Sequence, residues 1–193
     1  MLSKKNISII CVALCVALSG GYLLRQNLRL AKAYEKADTY DYIPAEESFA
    51  ILEINPGIPI DSLVQQIPAL RKAIPLSTLW EKICEAANLS LSGIEVFSFT
   101  ESGEPAIWHK VTRQEQKTIK KILPRLLSYD YRPVEEKNDS ITVSHYPLHN
   151  GTFLHLLEAP GVIALSFDTS LFREALQTID RLNRRERFTH TLR

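Results

Sequence analysis

The globular part of this chain has a single cysteine. Of the three in the sequence, Cys11 and Cys15 lie in an apolar run near the N-terminus, which leaves Cys84 alone. No disulfide can form within the globular part, and no Cys-x-x-Cys pair is present for zinc or redox chemistry. An excess of either charge is lacking as well. The 23 basic and 22 acidic residues give a formal net charge of +1, so nothing draws the chain globally toward nucleic acid or acidic substrates. Also missing are Gly-x-Gly-x-x-Gly, a P-loop, a Gly-x-Ser-x-Gly elbow and His-Glu-x-x-His. Those absences remove the local signatures of dinucleotide, nucleotide, serine-hydrolase and zinc-protease chemistry.

Charge is absent altogether from Ile7 to Leu24. As a helix this run is roughly 27 Å long, close to the hydrocarbon thickness of a bilayer. Lys4 and Lys5 precede it; Arg25, Arg29 and Lys32 follow it. A helix apolar on every side has no place in a small soluble core. The alternative to an anchor is a cleaved signal peptide ending near Ala17-Leu18-Ser19. We read an uncleaved anchor, because the run is long for a signal core and passes directly into a helical-looking segment. The expected division is 1–24 as cytoplasmic tail and transmembrane anchor, 25–44 as a stalk, and 45–193 as one extracytoplasmic domain. Counting Lys and Arg alone slightly opposes export, but a short tail before a first apolar segment resembles an export signal.

The rest has ordinary globular content, with 45% hydrophobic and 23% charged residues. Ser48 to Asn55 reads as a strand closed by Pro56-Gly57. Ser62 with Gln65, Thr78 with Glu81 and Thr112 with Glu115 match the capping-box pattern and predict three helix starts. Pro68 breaks the first of these, and Pro124 is expected to kink or shorten the third. Ile94 to Thr100 and Ala106 to Val111 read as a hairpin around Glu101-Ser102-Gly103-Glu104. Its two glutamates belong to a solvated turn, since acid–base chemistry needs enclosure. The cations of the third helix (Lys117, Lys120, Lys121 and Arg125) read as its solvated face, with an acidic-ligand or anionic-lipid patch as the sharper alternative. Trp80 is placed at a helix edge, and Cys84 as a small buried hydrophobe.

Three strands follow: Ile141 to Leu148, Thr152 to Glu158 and Val162 to Phe167. Asn150-Gly151 and Pro160-Gly161 are the turns. With two-residue turns, His145 faces Leu156 and Tyr146 faces His155, while Leu156 faces Leu165. One face then carries Ile141, Val143, Leu154, Leu156, Ile163, Leu165 and Phe167. The other carries Tyr146, His155 and Ser166, a possible interaction strip. On this register His145 and His155 point oppositely, and a zinc cluster with His149 cannot assemble. A closing helix with Leu171, Phe172, Ala175, Leu176, Ile179 and Leu182 is expected to cover the apolar face, capped by Asp168 or Thr169.

The fold class is therefore α+β: an N-terminal transmembrane helix, then one domain with a mainly antiparallel sheet packed by helices. The lysine-flanked anchor, the phrase Ile43-Pro44-Ala45-Glu46 leading into Phe49 to Asn55, and Ile163 to Phe167 leading into Leu171 to Ile179 carry a resemblance. Over most of residues 1–183 the chain resembles a family of uncharacterised, membrane-anchored cell-envelope proteins of Gram-negative bacteria. The resemblance implies a single-pass inner-membrane protein with its domain in the periplasm. Members are typically longer and repeat the domain, so it also implies an N-terminal portion or a truncated relative. It transfers no catalytic residue, cofactor or metal ligand. The expected partners are the membrane, through residues 7–24, and an envelope protein, with no nucleic acid. A non-enzymatic binding or scaffolding module is the first expectation, and an anchored hydrolase with a loop-built site is the alternative.

Overall fold

A computed structural model describes residues 4–45, 48–55, 58–89, 94–127, 133–138 and 141–177, with the side chains of 4–14, 16 and 17 left aside. Two antiparallel meanders meet in one sheet. The first is β1 (Ala50–Ile54), β2 (Glu95–Phe99) and β3 (Pro105–Lys110). The second is β4 (Val134–Asn138), β5 (Ile141–Pro147), β6 (Phe153–Ala159) and β7 (Val162–Ser166). The last strand closes on the first meander through β3, giving the order β1-β2-β3-β7-β6-β5-β4.

Both faces of this sheet are covered. On one lie α2 (Ile60–Leu63), a 3-10 turn over Pro68–Lys72, α3 (Ile74–Ala87) and α4 (Arg113–Leu126). They enclose Phe97, Ile107, Leu154, Leu156 and Leu165 with Leu76, Ile83, Ile119 and Leu123. On the other, a helix over 170–177 (α5) and residues 37–43 cover Val143, Leu157, Ala164 and Trp108 with Leu171 and Phe172. The central strands β6 and β7 are consequently buried on both sides.

The expectation of one covered face is corrected here, as is the β5–β6 register, whose error a turn explains. Leu148 N–H donates to Thr152 O at 2.7 Å and Gly151 N–H to Leu148 O at 2.9 Å. The loop is thus His149-Asn150-Gly151, three residues, with Gly151 in the left-handed region at φ 82°. Asn-Gly serves this bulged turn as well as the two-residue one, because glycine meets its positive φ without Cβ strain. The extra residue shifts the β5–β6 register by one, so that every side chain of β5 changes face. Tyr146 pairs with Leu154 and His145 with His155. Pro160-Gly161 does make the expected turn, and Leu156 pairs with Leu165. Those two leucines lie under α2–α4 rather than under the closing helix, whose Leu176 packs on the other face.

One of the three expected helix starts is observed. Thr112 and Glu115 do form a capping box, with Glu115 N–H donating to Thr112 Oγ1 at 3.3 Å and Thr112 N–H to Glu115 Oε2 at 2.7 Å. Ser62 and Thr78 lie inside their helices. Pro75 in the first turn of α3 supplies a preset φ and needs no N–H partner there, so that helix starts before Thr78. Pro68 does interrupt the chain, separating α2 from the 3-10 turn. Only two helical residues follow Pro124. Trp80 is buried rather than at an edge. The turn Pro56-Gly57, Glu46, Ile179 and Leu182 lie outside the described residues.

A continuous helix, α1 (Lys4–Lys36), contains the apolar run. Among the described residues no helix is long and apolar enough to cross a membrane. The stretch read as a stalk ends inside the domain: Ala37, Thr39 and Ile43 are buried. Tyr34 Oη donates to Gln116 Oε1 of α4. Gly161 makes this docking feasible, since a Cβ there would stand 2.5 Å from Ala37 Cβ and 3.0 Å from Tyr34 O.

Candidate functional site

At one end of β1–β3 a cavity of about 290 Å³ opens between α3, the start of α4 and the turn at Thr39 and Tyr40. Local rules place its walls. Trp80 and Cys84 are four residues apart on α3 and so share the stripe that faces the sheet. His109 is two residues beyond Ile107 on β3, which puts it on the same helix-covered face. Asn88, left-handed at φ 52°, ends α3, and Leu89 N–H donates to Cys84 O at 2.8 Å. This turns Leu89 into the cavity lining, which Ile94 shares.

The floor is a stack of two rings. Trp80 and His109 lie with centroids 3.9 Å apart and planes 16° apart. Both are buried, and neither Trp80 Nε1 nor His109 Nε2 has a hydrogen-bond partner within the protein. A buried polar atom in that condition costs about 1–3 kcal/mol. Tyr40 at the mouth donates its hydroxyl to Glu53, which pushes the phenol up to about 12.

A cysteine, a histidine and a carboxylate share this cavity, the set from which a thiol hydrolase is made. Their electrostatics run the other way. Burial pushes the Cys84 thiol up to about 12, and Glu95, Glu115 and Glu81 add to the shift. Burial pulls His109 down to about 3. Glu95 is raised by burial and then by Glu81. A nucleophilic cysteine needs a stabilised thiolate and a cationic neighbour, and a general base needs a pKa near the working pH. Here all three groups are driven toward their uncharged forms. The arrangement suits holding a ligand, with a predominantly apolar wall and a few convergent polar atoms.

The strip read from the sequence does not form. Tyr146 is buried on the α2–α4 side, pushed up to about 12 by burial, while His155 and Ser166 pair on the other face. Ser166 ties the end of β7 to its surroundings, its hydroxyl donating to Pro105 O at 2.7 Å and accepting from Asp168 N–H at 3.0 Å. His155 and His145, expected on opposite faces, are in contact. Among the described residues no group of three His, Cys, Asp or Glu is placed to hold a metal ion.

Sequence reasoning missed the cavity. The available signal was the coincidence of Trp80-x-x-x-Cys84 on a helix with Ile107-x-His109 on a strand, which places four side chains toward one layer. Comparison of the chain with protein-family models, with curated proteins and with solved structures finds no match.

Proposed function

We propose that this chain is a single-pass, membrane-anchored module of the cell envelope that binds a partner protein without catalysing a reaction. Residues 7–24 are the anchor in this reading, and the domain lies on the periplasmic side of the inner membrane. The observation that carries the binding function is the Trp80–His109 cavity: two buried, unpaired nitrogens on an apolar wall, with Cys84, His109 and Glu95 all shifted away from reactive charge states. A partner side chain entering it would supply the missing hydrogen bonds and cover Leu89 and Ile94. The tether is supported by the uncharged run and its basic flanks, and by the continuity of α1 into the domain. The resemblance to Gram-negative envelope proteins supports the periplasmic side.

A photo-crosslinking residue at Ile94 is expected to capture one discrete protein in intact cells. The same residue at Val134, exposed on the far edge strand, is expected to capture none. Adding Glu95→Arg at the rim should abolish the Ile94 product. Equal capture at the two positions, or capture indifferent to Glu95→Arg, refutes the cavity as the binding site. For the anchor, an alkaline phosphatase fused after residue 193 should be active. Fluorescence from a cytoplasm-only reporter at that position would refute the orientation.

A further inference from the structure

A second cleft, of about 560 Å³, separates α1 from the domain. One stripe of α1 forms its first wall: Gln26, Arg29, Leu30 and Ala33 are spaced as neighbours on a single helix face. The opposite wall is Arg113 at the start of α4, with Tyr42 and Pro160. Arg113 Nη1 donates to Asn27 Oδ1 at 3.4 Å across the top. Two guanidinium groups thus border one space, and among the described residues no carboxylate lines it. The capping box of α4 engages the Thr112 and Glu115 amides, and the two arginines carry the positive charge of the cleft.

The height of this cleft along α1 is what selects an occupant. Gln26, Asn27 and Arg29 are two, three and five residues past Leu24, the end of the apolar run, so at 1.5 Å per residue their backbones lie about 3, 5 and 8 Å beyond the hydrocarbon. Headgroups occupy roughly the 5–7 Å outside each face of the hydrocarbon core. Helical side chains lean toward the N-terminus, which carries the Arg29 guanidinium back to phosphate depth, and Arg113 meets α1 at Asn27. Arginine matches phosphate oxygens with a planar fork of donors, and Gln26 and Tyr42 add neutral donors. Leu30 and Ala33, one and four residues beyond Arg29, close the cleft on its aqueous side.

We infer that this cleft binds the phosphate headgroup of an anionic phospholipid and so fixes the domain against the membrane surface. The inference rests on the membrane-anchored reading above and is independent of the Trp80–His109 cavity.

The test reconstitutes the full chain in phosphatidylcholine vesicles doped with spin-labelled phosphatidylglycerol or spin-labelled phosphatidylcholine. The protein-immobilised fraction of each is read by electron spin resonance. The wild type should favour phosphatidylglycerol, and Arg29→Gln/Arg113→Gln should lower that preference by up to about thirtyfold, the order expected for two surface-proximal cations. Arg29→Gln alone, at a side chain on an exposed helix turn, should lower it in part and guards against misfolding of the double variant. Inorganic phosphate, compared with chloride at matched ionic strength, should leave the preference unchanged. Loss of the preference to inorganic phosphate would overturn the lipid assignment in favour of a free anion. A preference intact in both variants overturns the inference and leaves the anchor standing. Failure of the chain to stay with the vesicles overturns both.

Discussion

The Nδ1 atoms of His145 and His155 lie 2.7 Å apart, ring to ring across β5 and β6. At that distance one nitrogen carries a proton and the other offers its lone pair. His145 Nε2 also lies 3.4 Å from Glu136 Oε1. The Glu136 approach makes no hydrogen bond to Nε2, so either ring can be the Nδ1 donor and the other the acceptor. Removing one partner with His155→Ala leaves a polar nitrogen under α5 without its mate, a loss of about 1–3 kcal/mol. Leu156→Ala, in the opposite layer, should cost about 2–5 kcal/mol as a large-to-small change in a packed core. Urea unfolding measures both. An unchanged midpoint for His155→Ala would mean that this face is open to water.

Acid sensitivity has a definite sign at His109. Its folded pKa is about 3, depressed by burial from 6.5. The unfolded chain therefore takes up the proton first. Stability from this site is fully present above pH 6.5 and declines as the pH falls toward 3, at up to about 1.4 kcal/mol per unit. His155, pulled down to about 4 by burial and by His145, acts alike over a narrower window. Glu95 and Glu158, both raised, act in the opposite direction. His109→Phe keeps a ring beside Trp80 and removes one titration. Between pH 7 and pH 5 the variant should lose about 2 kcal/mol less than the wild type. Parallel pH profiles for the two proteins would sink this assignment.

Lys120 bridges Glu158 at 3.1 Å and Glu135 at 3.3 Å. Glu158 is nearly inaccessible, whereas Lys120 is 45% exposed. Burial raises the Glu158 carboxyl, and Lys120 opposes that rise. Lys120→Met lets the folded pKa climb further. The deficit should be absent below about pH 4.5, where Glu158 is protonated in both states, and should grow as the pH rises through the folded pKa. At neutral pH it should reach about 1–2 kcal/mol, after allowance for the exposed half of the lysine. Adding Glu158→Gln should remove the growth of the deficit above the usual carboxylate range and leave only the smaller share carried by Glu135, and a deficit independent of pH would disprove the coupling.

Two glycines with similar backbones separate conformational strain from helix docking. Gly103 and Gly161 have φ of 75° and 82°. A Cβ at Gly103 meets nothing within 4 Å, whereas one at Gly161 meets Ala37 and Tyr34 of the α1 segment. Gly103→Ala should cost about 1–2 kcal/mol for the left-handed backbone alone. Gly161→Ala adds an overpacking term of about 1–3 kcal/mol and should loosen α1 from the domain. Faster proteolysis after Arg29 in Gly161→Ala, but not in Gly103→Ala, would register that release. Equal cleavage would show that α1 does not depend on this contact.

Six of the seven strands were legible in the sequence. The missed one, β4, reads Val134-Glu135-Glu136-Lys137-Asn138 and is exposed along almost its whole length. It is an edge strand held by backbone pairing to β5, so it carries no apolar alternation to betray it. The Pro160-Gly161 turn set its register as expected because proline and glycine together fit one turn length there. Asn150-Gly151 fits two turn lengths, and only packing chooses between them. Burial of both faces was hidden for a related reason. The second face mixes the small Ala159, Ala164 and Ser166, which read as neutral in a pattern, with Leu157, Trp108 and, on the observed register, Val143. The cavity joins Trp80 to His109 through the placement of α3 across the sheet, a relation that no local spacing encodes.

The seam between β3 and β7 joins Ala106 to Ser166 and Lys110 to Val162. Every pair in it spans more than 50 residues, and it flanks β7, the middle strand of the sheet. Pairings that close such long loops form late. A chain emerging N-terminus first can assemble β1 to β3 early, but β3 then holds an open edge until residue 166 has been delivered. That edge includes Trp108 and Ile107, both fully buried in the finished protein. During synthesis the unfinished domain therefore presents a strand that invites foreign pairing. Its safe assembly depends on how quickly β7 arrives.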